Sequence, residues 1–182
     1  TKSLTRGLLG RILGPCGDFK AEKDALVHQY STFTWKKDLN VISPSIDRTL
    51  IQGVSFNIDP AGCQDIDDVF TIGDDGYYYI TIADVSEWVK HNPDLWTNIH
   101  TNAQTMYQNG KVVRPMIPFE NECSLLPNKL RLGLSFGFRI VNNQVVDAGF
   151  YKVAIKNNES FTYDSIKSSP YAGMLRAFTH FT

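Results

Sequence analysis

The chain has 182 residues, of which 42% are hydrophobic and 12% aromatic, with 18 Lys and Arg residues against 19 Asp and Glu residues. This composition excludes a disordered tail and is typical of a globular domain that buries a core without disulfides. A formal net charge of −1 excludes a nucleic-acid-binding protein that works through a broad basic face, so any polyanion must be held in a local channel.

The first 50 residues predict one helix. Residues 7–17 are apolar and punctuated by glycine, which indicates either the last strand of an upstream unit or a linker. Asp18 precedes apolar residues at three- and four-residue steps, a pattern typical of an N-capped amphipathic helix. We expect this helix to end before Ser31.

Alternation predicts strands beyond residue 51. Val54, Phe56 and Ile58 alternate with polar residues, which predicts a half-buried strand with those three apolar side chains facing the core. Pro60 ends it, because proline cannot donate to a strand ladder. Residues 69–83 predict a hairpin around the turn Gly73-Asp74-Asp75-Gly76.

The second half of the chain predicts one helix and another hairpin. Asp94 is followed by apolar residues at helical spacing as far as Tyr107, and Gly110 is the expected stop. Residues 134–155 predict a hairpin that turns at Asn142-Asn143. Together the elements predict an α+β fold with a mixed, largely antiparallel sheet and flanking helices.

Targeting, membrane and disulfide signals are weak. No apolar run reaches the roughly 20 residues of a membrane helix, and basic residues interrupt the apolar N-terminus where a signal peptide has a continuous core. We therefore expect an intracellular protein without a membrane partner, and we leave cytoplasm and nucleus as alternatives. The three cysteines are far apart, which favours reduced thiols over a disulfide framework or a zinc site.

The densest charge feature is the acidic segment, residues 59–68, with the sequence DPAGCQDIDD. Its four carboxylates are Asp59, Asp65, Asp67 and Asp68. At about 5 Å each pair repels by about 3 kcal/mol at an effective dielectric constant near 20, so folding requires something that neutralises them. Mg²⁺ is the favoured answer, because it binds a few carboxylates together with substrate phosphates. One loop of this kind has enough carboxylates to bind two ions.

Other interpretations of the acidic segment remain open at this point. It is equally well a solvated acidic loop, since runs of charge are usually hydrated surface. A Ca²⁺-binding β domain is a further alternative, although an EF-hand is excluded. Counting from Asp65, the fifth position is Val69 and the twelfth, where glutamate is needed, is Gly76.

The acidic segment resembles the signature of the RNB catalytic domain of the ribonuclease II/R family, especially its eukaryotic exosome-type members. Further resemblances follow in the same order and extend the match over residues 53–155. They are Ile82-Ala83-Asp84-Val85-Ser86, Thr105-Met106-Tyr107, Met116-Ile117-Pro118 and Cys123-Ser124-Leu125. One such motif is weak, whereas several in the right order are specific.

The resemblance implies a 3′→5′ exoribonuclease that hydrolyses single-stranded RNA to nucleoside 5′-monophosphates. It implies Mg²⁺ as cofactor, with Mn²⁺ as an alternative, in a two-ion site that activates water and stabilises the leaving 3′-oxygen. By position, Asp59, Asp65, Asp67 and Asp68 match the metal-binding acids, and Asp68 matches the acid most closely tied to catalysis. Tyr107 matches the tyrosine that packs on the terminal nucleotide; a core aromatic is the alternative.

The resemblance also implies a domain organisation. Residues 1–50 are expected to be a linker and helix leading from an upstream OB-type domain. Residues 51–182 are expected to be the N-terminal part of an RNB domain that is incomplete or lacks segments. Residues 179–182 resemble an element that lies much further downstream in the family. Either the intervening helices are absent or the residues are pieces of a longer chain; we expect the second, with the junction between Tyr163 and Ala177.

Three further expectations concern activity and partners. The chain alone is expected to be too short to be active, because the family's phosphate-stabilising arginine comes from a later segment. An exosome-like complex is an expected partner besides single-stranded RNA, and a catalytically inactive RNB-like RNA-binding or scaffold subunit is the alternative. Asp84 matches a family acid near the site, with a turn or cap residue as the alternative, and Glu87 replaces a histidine of many members.

Overall fold

The structure is a computed structural model that describes residues 7–30, 34–36 and 38–178. The chain divides into two compact units, one formed by Thr1–Leu39 and Thr97–Met116 and the other by Asn40–Trp96 and Ile117–Thr182. Within the described residues, no helix has both the length and the apolar character that crossing a bilayer requires.

The described residues form helices and strands of modest length. The helices are α1 (Phe19–Tyr30), α2 (Val85–His91), α3 (Trp96–Asn102), α4 (Glu120–Cys123) and α5 (Ala172–Phe178), with 3-10 turns at Pro93–Leu95 and Ser165–Ser168. The strands are β1 (Gly53–Ile58), β2 (Asp68–Gly73), β3 (Tyr78–Ala83), β4 (Met106–Gln108), β5 (Lys111–Arg114), β6 (Leu130–Val141), β7 (Gln144–Lys156) and β8 (Glu159–Phe161).

The second unit contains a six-stranded sheet in the order β7-β6-β3-β2-β1-β8. The pair β1–β8 is parallel and the other neighbours are antiparallel. One face of the sheet carries the buried core cluster, which consists of Ile66, Val69, Leu125 and Ile155. The α+β prediction with a mixed, largely antiparallel sheet is confirmed.

Both predicted hairpins are present. The strands β2 and β3 pair in register from Asp68 opposite Ile82 to Ile72 opposite Tyr78. The strands β6 and β7 turn at Asn142 and Asn143, which have φ values of 51° and 59°. Two consecutive positive φ angles match the right-handed twist of hairpin strands, and asparagine tolerates them better than most residues.

The strand β1 lies where it was predicted, and Phe56 is fully buried as expected, but the polar residues beside it are buried as well. Ser55 and Asn57 are only 1% and 2% exposed, whereas Val54 is 36% exposed. Protein covers both faces of β1, and the polar side chains are satisfied by partners; the Ser55 hydroxyl, for example, lies 2.9 Å from the Thr71 hydroxyl. Alternation alone cannot reveal a buried polar face whose partners come from distant strands.

The predicted helix from Asp94 to Gly110 was wrong in its second half. The helix α3 ends at Asn102, and Ala103 has a φ of 50°, which breaks the helical backbone. Asn109 and Gly110 both have positive φ and form the turn between β4 and β5. The dipeptide Asn-Gly is a strong hairpin signal, and it outweighs the helical spacing before it.

The predicted first helix is confirmed as α1. The Asp18 carboxylate accepts a hydrogen bond at 2.9 Å from the backbone N–H of Ala21, which is N-cap geometry. Its larger side chains Phe19, Leu26 and Tyr30 are exposed, Phe19 at 78%, whereas Ala21 is buried. Residues 7–15 form neither helix nor strand, so the strand alternative is not seen there, and the linker leading from an upstream domain stays a prediction.

The backbone is connected by local hydrogen bonds where a junction was expected. The N–H of Ile166 donates to the carbonyl of Thr162, and the N–H of Leu175 donates to the carbonyl of Tyr171. The junction between Tyr163 and Ala177 and the incompleteness of the domain both stay predictions. The family-like element at residues 179–182 lies outside the described residues.

Candidate functional site

The acidic segment connects β1 to β2 and is fixed to the sheet at both ends. At its start, the Asp59 N–H donates to the carbonyl of Phe161 at 3.0 Å, and at its end the Asp67 carbonyl accepts from the N–H of Ala83 at 2.9 Å. Between them, the Cys63 N–H donates to the carbonyl of Pro60. Gly62 has a φ of 82°, which this tight turn requires.

The middle of the acidic segment is fastened by Ile66. Its N–H donates to the Ser124 hydroxyl at 2.7 Å, and its carbonyl accepts from the N–H of Leu125 at 2.8 Å. The Ile66 side chain is buried at 3% exposure, while Asp65 and Asp67 on either side are half-buried and exposed respectively. Burial of the isoleucine between them therefore turns the flanking carboxylates toward the surface.

The four carboxylates of the acidic segment act on one another. Partial burial raises the pKa of Asp67, and the negative charges of the other three acids raise it further. Partial burial also raises the pKa of Asp68, with a further contribution from Asp59. The acids of this loop therefore lie within electrostatic range of one another, which is the arrangement expected of a cation-binding site.

Replacing Asp67 by asparagine is expected to stabilise the metal-free protein. The change removes one member of a like-charged group, and the gain is a few tenths of a kcal/mol, ~0.3, because the side chain is exposed and screened. Urea denaturation in EDTA measures it. The same change at Asp74, which lies outside the acidic segment, serves as the control. A lower free energy of unfolding for Asp67→Asn would contradict net repulsion.

The side chains of the acidic segment do not converge on a complete metal site. Among the described residues, no group of three or more His, Cys, Asp or Glu side chains is placed to hold a metal ion. Asp59 accepts a hydrogen bond from Asn57 at 2.8 Å, and Asp65 accepts one from the Cys63 thiol at 3.3 Å. The donor chemistry still fits Mg²⁺, which binds one or two protein carboxylates and completes its shell with water and phosphate oxygens.

A fifth carboxylate, which sequence reasoning missed, lies beside the acidic segment. Glu120 begins α4, and the contacts that Ser124 and Leu125 make with Ile66 bring this helix against the loop. Burial raises the pKa of Glu120, and the charges of Asp65 and Asp67 raise it further. No local pattern identifies this residue, because its proximity depends on contacts between segments more than 50 residues apart.

Asp84 caps a helix and forms an ion pair, which is the cap role given above as the alternative to a site acid. It is the N-cap of α2 and accepts from the Glu87 N–H at 3.1 Å, and it pairs with Arg48 at 2.8 Å. Burial acts to raise the pKa of Asp84, but hydrogen bonds from Ser86 and Arg48 outweigh burial and lower it. Glu87 also pairs with Arg48, at 3.0 Å, and so belongs to the same structural cluster.

Tyr107 lies in the strand β4 of the first unit, whereas the four acids lie in the second. Its side chain is 53% exposed, so it is not the core aromatic of the alternative interpretation. An exposed tyrosine presents a flat apolar face to a nucleobase.

Comparison with known proteins identifies the family to which this chain belongs. The RNB domain profile matches residues 48–169, which is more than half of the chain. Ribonuclease R of Chlamydia trachomatis is 30% identical over 151 residues, which are 79% of this chain and 21% of that protein. Exosome complex exonuclease dis3 of Schizosaccharomyces pombe is 32% identical over 114 residues, which are 59% of this chain and 12% of that protein. The chain thus spans a small part of the length of these relatives.

Solved structures share the fold. Mycoplasma genitalium RNase R in complex with ribose methylated single-stranded RNA has a TM-score of 0.65 and 22% identity, covering 86% of this chain and 27% of its own. Yeast Ssd1, described as a pseudonuclease, has a TM-score of 0.69 and 15% identity, covering 91% of this chain and 25% of its own. The profile match, the relatives and the shared fold agree, and the chain belongs to the RNB domain family.

Proposed function

We propose that this chain carries the acidic part of the catalytic site of a 3′→5′ exoribonuclease that hydrolyses single-stranded RNA to nucleoside 5′-monophosphates. The observation that carries the proposal is the acidic segment, which backbone hydrogen bonds fix to the sheet at Asp59 and Asp67 and which Ser124 holds at Ile66. Burial and the neighbouring acids raise the pKa of Asp67 within it. An anchored, mutually repelling set of oxygen ligands suits a hard divalent cation. Membership of the RNB family supports the reaction class.

The residues of the acidic segment have distinct roles in this proposal. Asp59, Asp65 and Asp67 hold Mg²⁺, or Mn²⁺ in its place, and Asp68 is the catalytic acid that also binds it. When bound, the cations lower the pKa of the attacking water and stabilise the leaving 3′-oxygen. Asp68 suits its role because it begins β2 and is hydrogen-bonded into the sheet beside β3, so its backbone is held in position.

RNA binding in this proposal uses an aromatic surface and partners beyond this chain. Tyr107 stacks on a base, a contact worth about 1–3 kcal/mol that does not depend on sequence. A net charge of −1 supplies little phosphate binding, so further basic surface has to come from other domains of the complete protein. The similarity to the exosome nuclease of fission yeast supports an exosome-like complex as a partner, and an intracellular location stays a prediction.

The test is direct. Full-length protein is incubated with 5′-labelled single-stranded RNA and Mg²⁺, and the products are separated by length. We expect a ladder that shortens from the 3′ end, release of nucleoside 5′-monophosphates, and loss of both in EDTA. RNA labelled at the 5′ end and blocked at its 3′ end is the control, and it should remain intact.

The second candidate is an RNB-like RNA-binding or scaffold protein without nuclease activity. The observation that favours it is the absence of a converged group of three metal ligands among the described side chains. Retention of the labelled RNA at full length, together with binding of that RNA, would select this candidate. Family membership removes the basis for an unrelated Ca²⁺-binding β domain.

A further inference from the structure

We propose that Asn57 is a positioning residue that orients the Asp59 carboxylate for the cation, a role that rests on the proposed function. Asn57 is 2% exposed and lies near the end of β1, immediately before the acidic segment. Its side-chain amide donates to Asp59 Oδ2 at 2.8 Å. The hydrogen bond occupies one carboxylate oxygen and leaves Oδ1 for a ligand.

The direction of the Asn57 amide is fixed by its other partners. Its carbonyl Oδ1 accepts from the Asn157 amide at 2.8 Å and from the Ser160 hydroxyl at 2.6 Å. Two donors at the carbonyl end leave the NH₂ end to face Asp59. A flipped amide would place NH₂ against two donors and its oxygen against a carboxylate, so one orientation is strongly preferred.

Asn157 is itself fixed by hydrogen bonds, which extend the network from Asn57 to Leu125. Its Nδ2 donates both to Asn57 and to the carbonyl of Leu125, the latter at 3.0 Å, and the side chain is 1% exposed. The N–H of Leu125 donates to the carbonyl of Ile66. Leu125 is therefore a common anchor, which connects Asn57, just before the acidic segment, with Ile66 within it.

This geometry accounts for an uncharged amide at position 57. A donor that carries no charge orients Asp59 without neutralising it, as a lysine would, and without adding repulsion, as a further carboxylate would. Buried partners that orient metal ligands typically contribute 10–100-fold to metal affinity. Asn57 is therefore expected to affect cation affinity more than its single hydrogen bond would suggest.

The test measures Mn²⁺ binding to the full-length protein by calorimetry, with no RNA present. For Asn57→Ala we expect the Kd for Mn²⁺ to rise about 10-fold or more. Ser55→Ala is the matched control, because Ser55 lies on the same face of β1, is equally buried and hydrogen-bonds to Thr71 rather than to Asp59. For Ser55→Ala, the Kd for Mn²⁺ should stay within about twofold of the wild-type value. Its free energy of unfolding in urea should fall by an amount comparable to that of Asn57→Ala.

A milder variant keeps the test decisive if Asn57→Ala does not fold. Ser160→Ala removes one donor to the Asn57 carbonyl and leaves Asn157 in place, so we expect a smaller rise in Kd, roughly threefold. An unchanged Kd in both variants would overturn the positioning role.

The outcome also separates this inference from the proposed function. If Asp59→Ala weakens Mn²⁺ binding and RNA cleavage while Asn57→Ala changes neither, only the positioning role fails. Wild-type protein that binds no Mn²⁺ overturns both, because there would be no cation for Asp59 to face.

Discussion

Replacing Asp68 by asparagine is expected to reduce the rate of RNA hydrolysis by roughly 10³-fold, which corresponds to about 4 kcal/mol of transition-state stabilisation. Asparagine has the size of aspartate but lacks the charge and the second carboxylate oxygen. Asp68 is exposed and pairs through its backbone with Ile82 of β3. The fold should therefore survive the change, and the loss should be confined to catalysis.

The measurement for Asp68→Asn is single-turnover cleavage of 5′-labelled RNA in saturating Mg²⁺. Asp74→Asn is the matched control, because it makes the same change at the residue that directly follows the opposite end of the same strand. It should cleave RNA at the wild-type rate. Cleavage by Asp68→Asn at more than about a tenth of that rate would contradict the catalytic assignment.

Replacing Arg48 by methionine is expected to destabilise the second unit by about 3–5 kcal/mol, measured by urea denaturation at pH 7. Arg48 pairs with Asp84 at 2.8 Å and with Glu87 at 3.0 Å, and its side chain is only 10% exposed. Methionine keeps most of the apolar stem but leaves the Asp84 carboxylate, which is 4% exposed, without its cation. An uncompensated buried charge is far more costly than the loss of a surface pair.

The pH dependence of Arg48→Met has a definite sign. Because the pKa of Asp84 is lowered, its ion pair contributes stability above the ordinary carboxyl pKa of about 3.9, and this stability is lost as pH falls through the lowered value. The difference between wild type and variant should therefore shrink in acid. Lys90→Met, which removes a 72% exposed partner of Glu87, is the control and should cost less than about 1 kcal/mol. An equally small cost for Arg48→Met would contradict the argument.

Local chemistry explains which parts of the fold could be predicted. The turns at Asn142-Asn143 and at residues 73–76 fix their own backbone angles, and both hairpins were predicted correctly. The segment around Tyr107 carried two conflicting local signals, helical spacing and the dipeptide Asn109-Gly110. The pairing of β4 with β5 around this turn shows that the hairpin signal prevails over the helical spacing before it.

The candidate site was predictable only in part, for a related reason. The acidic segment is contiguous, so its carboxylates and its turn at Gly62 can be read along the chain. Glu120 and Asn57 gain their places beside it from partners that lie far away in sequence. The role of Asp84 was undecided until Arg48, which precedes it by more than 30 residues, was seen to pair with it.

The anchoring of the acidic segment at Leu125 has a thermodynamic consequence. Leu125 is 1% exposed, packs in the core with Val69 and Ile155, and is hydrogen-bonded to Ile66. If the loop binds a cation as proposed, ion binding and folding of the core are linked equilibria. A divalent ion that binds only the folded loop, at a free concentration of 100 times its Kd, would add about 2.7 kcal/mol to the free energy of unfolding, so the stability of the unit would depend on the concentration of that ion.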